Sequence, residues 1–385
     1  MQLTANWNYP TAVRFGPGRI SELADACRFA GMSKPLLVTD PGIAGLPMIA
    51  AMVETCRAAG LAVAVYSDVR PNPVETNVAN GVAAFKAGGH DGVIAVGGGS
   101  ALDVGKLIAF MAGQTRPIWD FEDIGDWWTR ADPDGIAPIV AVPTTAGTGS
   151  EVGRAGVVTN EETHTKKVIF HPKMMPAVVI CDPELTVGLS PRLTAGTGMD
   201  AFAHCLEAYC APGWHPMADG VAVEGMRLVK QHLARAVHAG TDISARAGMM
   251  AAAAMGATAF QKGLGAIHSL SHPVGALYDT HHGMTNAVFM PYVLAANRPA
   301  IEDRIARLAA YLGLAPSFDA FQAWVLELRA EIGVPNTVAE LGVDDGRIGT
   351  IAEMAVVDPT AGGNPVPLTK ELARSIFEAA FNGRL

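Results

Sequence analysis

Short, unbroken apolar runs alternate with stretches of helical spacing through the first half of the chain, and this alternation limits the fold more than any other feature. Pro35–Asp40, Leu61–Tyr66, Gly92–Val96 and Ile139–Val142 read as strands, and Ile49–Gly60, Glu75–Gly88 and Ala101–Phe110 read as helices. A strand that is apolar at every position has both faces covered, so the pattern predicts a parallel sheet between helical layers. After Asp182-Pro183 and Leu189-Ser190-Pro191 the strand signals fade. Helices are predicted over Thr194–Tyr209, Met217–Gly240, Ser244–Lys262, Ala300–Leu312 and Ser317–Ile332. The expected architecture is an α/β N-terminal domain with a parallel sheet covered by helices (1–184), plus an all-helical C-terminal domain (185–385), packed closely around a cleft. A chain of 385 residues has the length for two such domains.

Composition excludes several function classes. The chain carries 28 Lys+Arg against 37 Asp+Glu, a net −9, and has no basic run, so nucleic acid is not an expected partner. Mean hydropathy is +0.24. Yet the long runs without charged residues or histidine, 135–150, 247–261 and 283–297, are too short and too broken by Gly, Pro or polar residues to span a bilayer. The opening MQLTANWNYP does not read as a signal peptide. Cys27, Cys56, Cys181, Cys205 and Cys210 form no CxxC pair, which disfavours a disulfide scaffold and a zinc knuckle and fits a reducing cytoplasm.

The strand ending at Val96 runs straight into Gly97-Gly98-Gly99-Ser100 and then a helix. Glycines admit a bulky anion to the backbone, and the first N–H groups and dipole of the helix favour phosphate. Ser100 can cap the helix or donate to an oxygen, and Asp103 stands where it could close a capping-box-like pair with it. The motif is not GxGxxG, and taken alone it fits a ligand-free βα turn equally well. A second strand leads into Pro143-Thr144-Thr145-Ala146-Gly147-Thr148-Gly149-Ser150, a hydroxyl-rich loop at the edge where open α/β sheets bind ligands. Two such loops in one sheet favour a nucleotide or phosphorylated cofactor over a flexible Ser/Thr linker. Asp40, ending an early strand, could accept from a ribose and would repel a 2′-phosphate, pointing to NAD over NADP; a solvent-exposed turn before Pro41-Gly42 is the equal alternative.

Asp200 and His204 share a helix face at i, i+4 spacing, His268 and His272 repeat that spacing, and His281-His282 follow. A carboxylate with several imidazoles suits Fe²⁺ or Zn²⁺, which would act as a Lewis acid if a position stayed open to substrate. Core or capping pairs would give the same spacing. His90, His164, His171, His215, His232 and His238 are read as ordinary core or surface residues.

The combination of these segments with Asp182-Pro-Glu-Leu185, His282-Gly-Met-Thr-Asn-Ala287 and Asn364-Pro365, in this order across most of the chain, resembles the iron-containing (group III) alcohol dehydrogenases. The resemblance implies hydride transfer between an alcohol and NAD(P), with NAD expected over NADP, Fe²⁺ as the metal (Zn²⁺ accepting the same ligands), and a homo-oligomer acting on a small alcohol or aldehyde. It implies Asp200, His204, His268 and His282 as metal ligands, with Asp200 and His268 counted among the catalytic residues. His272 would lie near the nicotinamide as a proton relay. Gly98, Gly99, Ser100 and Asp103 would belong to the pyrophosphate turn, and Thr144, Thr145 and Thr148 to the cofactor cleft. Asp40 and Asn72 would flank the adenosine, and Lys166, beside a second lysine at 167, would contact the cofactor. Trp127, Trp128 and Phe260 are candidate substrate-pocket walls, and His281 is a neighbour of the site or a solvated loop residue. The rival readings are a maleylacetate-reductase-like NAD(P)H reductase, a sugar-ring lyase of the dehydroquinate synthase type, whose lysine and arginine set is not found, and a non-catalytic nucleotide- or metal-binding protein.

Overall fold

The computed structural model describes residues 11–163 and 165–385; His164 and the first ten residues, on which two of the readings above fall, lie outside them. The described residues form two compact units: residues 11–145 with 149–187, and residues 146–148 with 188–385.

The first unit is built on six parallel strands, β1 (Ala12–Phe15), β2 (Pro35–Val38), β3 (Ala64–Tyr66), β4 (Gly92–Gly97), β5 (Ile139–Pro143) and, after a hairpin of β6 (Ala155–Asn160) and β7 (Thr165–Phe170), β8 (Val178–Cys181). Their order is β1-β8-β5-β4-β2-β3. Helices α1 (Leu23–Phe29), α2 (Pro41–Ala44), α3 (Pro47–Ala58), α4 (Glu75–Gly88) and α5 (Gly99–Met111) connect them. Every residue of β2, β4, β5 and β8 is buried, as expected of strands covered on both faces. On one face Leu37, Ile94, Val96, Val142 and Ile180 pack with α1 and α3 residues such as Leu23, Met52 and Cys56. On the other, Leu107 and Phe110 of α5 meet Val78, Phe121, Val158 and Ile169. The chain leaves β2 toward β3 on one side and leaves β4 toward β5 on the other, so the sheet reverses direction between β2 and β4.

The second unit is helical: α6 (Pro191–Cys210), α7 (Pro216–His238), α8 (Ile243–Ala259), α9 (Ala266–Tyr278), α10 (His282–Tyr311), α11 (Phe318–Glu331), α12 (Ile348–Val356) and α13 (Lys370–Asn382). The expected fold class is observed. Four strands (β1, β6, β7, β8) and five helices (α1, α2, α9, α12, α13) were not read from the sequence. Helix α10 starts eighteen residues before the expected Ala300, running through Pro291 and Pro299. An interior proline costs roughly 3 kcal/mol in an isolated helix. Here the segment is buried from Gly283 to Leu294 among α6, α9, α11 and α13, and that packing overrides the local signal. None of the described helices is long and apolar enough to cross a membrane.

Candidate active site

In the α/β unit, the loops after β2 and β4 occupy the point where the sheet reverses, the position at which open α/β sheets take their ligands. Gly97 ends β4 with φ of 142°, and a Cβ there would lie 2.7 Å from Ala101 Cβ and 3.2 Å from Asp40 Oδ2. A side chain is therefore barred at Gly97, and the Asp40 carboxylate stands beside the turn. Asp40 also caps α2, accepting from the Gly42 amide at 2.9 Å. Thr144 donates its amide to Gly97 O at 2.9 Å, and Thr145 lies within contact distance of the Cβ position of Gly98. Ser100 donates its hydroxyl to Pro71 O, which ties the Pro71-Asn72-Pro73 loop to the turn. Asp40, Asn72, Gly98, Gly99, Ser100, Thr144 and Thr145 are thus brought to one end of the sheet.

The capping-box-like pair of Ser100 and Asp103 does not form. Gly98 is the N-cap of α5, which places Ser100 inside the first turn. Asp103 instead accepts from the Ser150 hydroxyl and, at 3.0 Å, from the Val157 amide, and pairs with buried Lys106 at 3.2 Å. It fastens the hydroxyl-rich loop and β6 to α5. Thr148 belongs with residues 146–148 to the helical unit. Lys167 is committed to Glu122 at 3.0 Å, so strand alternation turns Lys166 to the opposite face of the hairpin. Trp127 lies under the Arg130 guanidinium, 4.0 Å from ring centre to charge, and Trp128 meets Phe170 and His171 edge to face.

In the helical unit, α6 presents Asp200, His204 and Glu207 at i, i+4 and i+7. Asp200 Oδ1 lies 3.8 Å from His204 Nε2, 3.7 Å from His268 Nε2 and 3.5 Å from His282 Nε2. Ligand atoms of Asp200, His204 and His268 all fall within 4.8 Å of one another. Asn286, one turn after His282, turns its amide nitrogen to Asp200 Oδ1 (2.8 Å), His282 Nε2 (3.1 Å) and His268 Nε2 (3.2 Å), while its buried Oδ1 has no partner among the described residues. An NH₂ group has only two protons for three such atoms, so where both Nε2 atoms carry lone pairs a cation would satisfy what Asn286 cannot. Bonds of ~2.0–2.2 Å to a shared cation put ligand atoms ~3–3.6 Å apart, close to the spacing seen. The residues fit a divalent metal.

Close helix packing makes this convergence. A Cβ at Gly283 would lie 2.1 Å from Gly196 O and 3.1 Å from Asp200 Cβ, so only glycine lets α10 bring His282 against α6. Glu207, missed in the sequence although it continues the Asp200–His204 face, accepts from the Ile267 amide (2.7 Å) at the start of α9 and from His268 Nδ1. The second bond leaves His268 Nε2 directed as a lone-pair donor. Burial opposes ionisation of Asp200, but His204, His268 and His282 outweigh it and hold its carboxyl far below the usual range. Burial pushes His204 down to about 4. For His268 burial is outweighed by Glu207 and Asp200, which raise it to about 10, so a proton rests on Nε2 until a cation takes its place. His272 is half-buried, stacks on His282 with ring centres 5.4 Å apart, and bonds Asp358 Oδ2 through Nδ1 at 2.8 Å. Asp358 is held below the usual carboxylate range: burial opposes this, but His272 and Thr360 prevail. Phe260 packs edge-on to His204 with ring centres 5.0 Å apart. His281 is exposed and caps α10, its Nδ1 accepting from the Met284 amide. His171 and His215 are caps as well, and His232 is a core residue.

Residues 10–183 match a family model described as iron-containing alcohol dehydrogenase, and residues 194–381 match the C-terminal model of the Fe-containing alcohol dehydrogenase family. The chain is 40% identical over 367 residues to 4-hydroxybutyrate dehydrogenase of Cupriavidus necator, covering 93% of this chain and 94% of that protein. It is 37% identical over 382 residues to 1,3-propanediol dehydrogenase of Klebsiella pneumoniae, covering 97% of each. The crystal structure of a 1,3-propanediol oxidoreductase superposes with a TM-score of 0.93 at 37% identity, covering 98% of this chain and all of that one.

Proposed function

This chain belongs to the iron-containing alcohol dehydrogenase family and is thereby an NAD-linked alcohol–aldehyde oxidoreductase, and we propose how its residues divide the work. Asp200, His204, His268 and His282 hold the metal, Fe²⁺ in preference to Zn²⁺. When bound, the metal supplies a Lewis acid for the substrate oxygen and the nicotinamide supplies the hydride acceptor. Asp200 contributes the negative charge of the set, and Glu207 holds the His268 ring in the ligating tautomer. His272 takes the proton lost by the alcohol and passes it to solvent. Gly98, Gly99 and Ser100 receive the pyrophosphate at the N-terminus of α5, Thr144, Thr145 and Thr148 line the cofactor site, and Asn72 and Lys166 contact the cofactor. Asp103 braces the loop from behind. The Asp40 carboxylate accepts from the ribose and excludes a 2′-phosphate, which makes NAD the cofactor. Residues 1–184 serve as the dinucleotide-binding domain and 185–385 as the metal-binding domain.

The observation that carries this reading is the single carboxylate oxygen, Asp200 Oδ1, faced by three imidazole Nε2 atoms at 3.5–3.8 Å. All four groups are retained, so a metal-free maleylacetate reductase is not favoured. The names of the relatives support short primary alcohols carrying a second polar group as substrates. Five buried cysteines, none in a disulfide, support a reducing cytoplasm, and we assign a homo-oligomer. The test is metal analysis of anaerobically purified protein together with NADH formation from a panel of short alcohols and diols with NAD and NADP. Iron at one per chain with NAD-dependent turnover is expected. Full turnover after metal removal would overturn the reading, and a preference for NADP would overturn the role of Asp40.

A further inference from the structure

Helix α9 carries His268 and His272 one turn apart, and one stretch of chain between α12 and α13 fastens it. Asn364 Oδ1 accepts from the Ala266 amide at 3.1 Å, Thr360 Oγ1 lies 2.9 Å from Ser269 Oγ, and Asp358 reaches His272 from 86 residues further along the chain. The two carboxylate oxygens of Asp358 are divided between partners. Oδ1 accepts from the Thr360 amide at 2.9 Å and from the Thr360 hydroxyl, and Oδ2 lies 2.8 Å from His272 Nδ1. The carboxylate and imidazole side chains are 11% and 23% exposed, so the pair is largely withdrawn from competing water. An ionised carboxylate only accepts, so the proton between the two sits on Nδ1, and it is the Nε2 of the neutral ring that keeps a lone pair.

We propose that Asp358 is a positioning residue that holds His272 as its Nδ1–H tautomer, and that Thr360, by occupying Oδ1, dictates which carboxylate oxygen does so. The inference rests on the proton-relay reading of His272. In alcohol oxidation the C–H electron pair leaves as hydride to the nicotinamide, and the O–H proton goes to Nε2 and then to water. A ring protonated at Nε2 could not accept it.

Asp358→Asn is the discriminating variant. The Thr360 amide is a fixed donor, so the new side chain must turn its oxygen there and its NH₂ toward His272 Nδ1. That forces the Nε2–H tautomer while leaving shape unchanged. In zinc-loaded, ¹⁵N-histidine-labelled enzyme, imidazole proton–nitrogen correlation spectra are expected to place the His272 proton on Nδ1 in the parent and on Nε2 in Asp358→Asn. The variant's kcat is expected to fall on the order of 10²–10⁴-fold, the scale of loss when the orienting carboxylate behind a catalytic histidine is amidated. Bound metal, melting temperature and NAD affinity are expected to stay at parental values, which a merely structural role would not allow. Asp358→Glu, which keeps an acceptor, is expected to recover kcat to within roughly tenfold of the parent, as the conservative variant. An Nε2–H signal for His272 in the parent overturns the proposal without recourse to any variant. So does parental kcat in Asp358→Asn while His272→Ala is inactive, an outcome that leaves the relay standing. Parental kcat in His272→Ala instead removes the relay itself, and the inference with it.

Discussion

In the α/β unit most candidate ligand-binding groups lie just past the ends of β2, β3, β4 and β5, on loops and the first turn of α5, and offer backbone N–H groups and hydroxyls. In the helical unit Asp200, His204, His268 and His282 lie on or at the start of helices, three of them fully buried, and offer lone pairs. The first arrangement suits a phosphate anion and needs little more than a glycine turn at a helix N-terminus. The second suits a cation and needs three helices locked at close range. A loop site tolerates the loss of one donor because its neighbours share the load. A side-chain cage has no redundancy, since removing one partner leaves buried polar groups without compensation.

The sharpest test of this contrast is Asp200→Ala. Removing the cage's one carboxylate is expected to empty the metal site and to lower kcat/KM on the order of 10³-fold or more, read by elemental analysis and NADH formation. If metal content survives, the non-redundancy argument breaks. Next in size is a pH effect confined to the α/β unit. Glu151 is buried and its pKa is pushed up to about 7 by burial, from an ordinary 4.5. The folded state therefore binds the proton more tightly than the unfolded chain. The associated stability is complete below the unfolded value and is lost as pH rises toward and through 7, by about 3 kcal/mol in all. Glu151→Gln is expected to flatten that part of the profile in denaturant melts of the metal-free protein at pH 5 and pH 8. Gly283→Ala follows. Its Cβ would strike Gly196 O, and overpacking of this kind costs about 1–3 kcal/mol, so a lower melting temperature and weakened metal binding are expected together. Smallest is Asp40→Ser, expected to raise the NADP/NAD ratio of kcat/KM by roughly tenfold without touching metal content. An effect of Asp40→Ser on metal content would erase the division drawn between the units.

The α/β unit was the more legible of the two. Its central strands, β2, β4 and β5, appear as unbroken apolar runs, because a strand covered on both faces has no polar position to spare. The edge strand β1 and the hairpin β6–β7, partly exposed, carry no such mark. In the helical unit, the i, i+4 pairs Asp200/His204 and His268/His272 were visible, but α9 was not recognised as a helix and of α10 only the part after Pro299 was read. Glu207 had a signal, three residues past His204 on the same face. Asn286 had a weaker one, a helical turn past His282. Asp358 had none, since 86 residues separate it from the ring it holds.

Local chemistry settled the alternation of strands and helices, the glycine turn after β4, the acidic surface and the residue types suited to a metal, because each depends on neighbours a few positions apart. Strand order was beyond its reach, and with it the reversal between β2 and β4 that sets Asp40 beside Gly97. So were the meeting of α6, α9 and α10 at Asp200 Oδ1 and the carboxylates behind His268 and His272. Those contacts join residues tens of positions apart, and they form only when buried helix packing, with Gly283 against Gly196, compensates for the entropy of bringing them together.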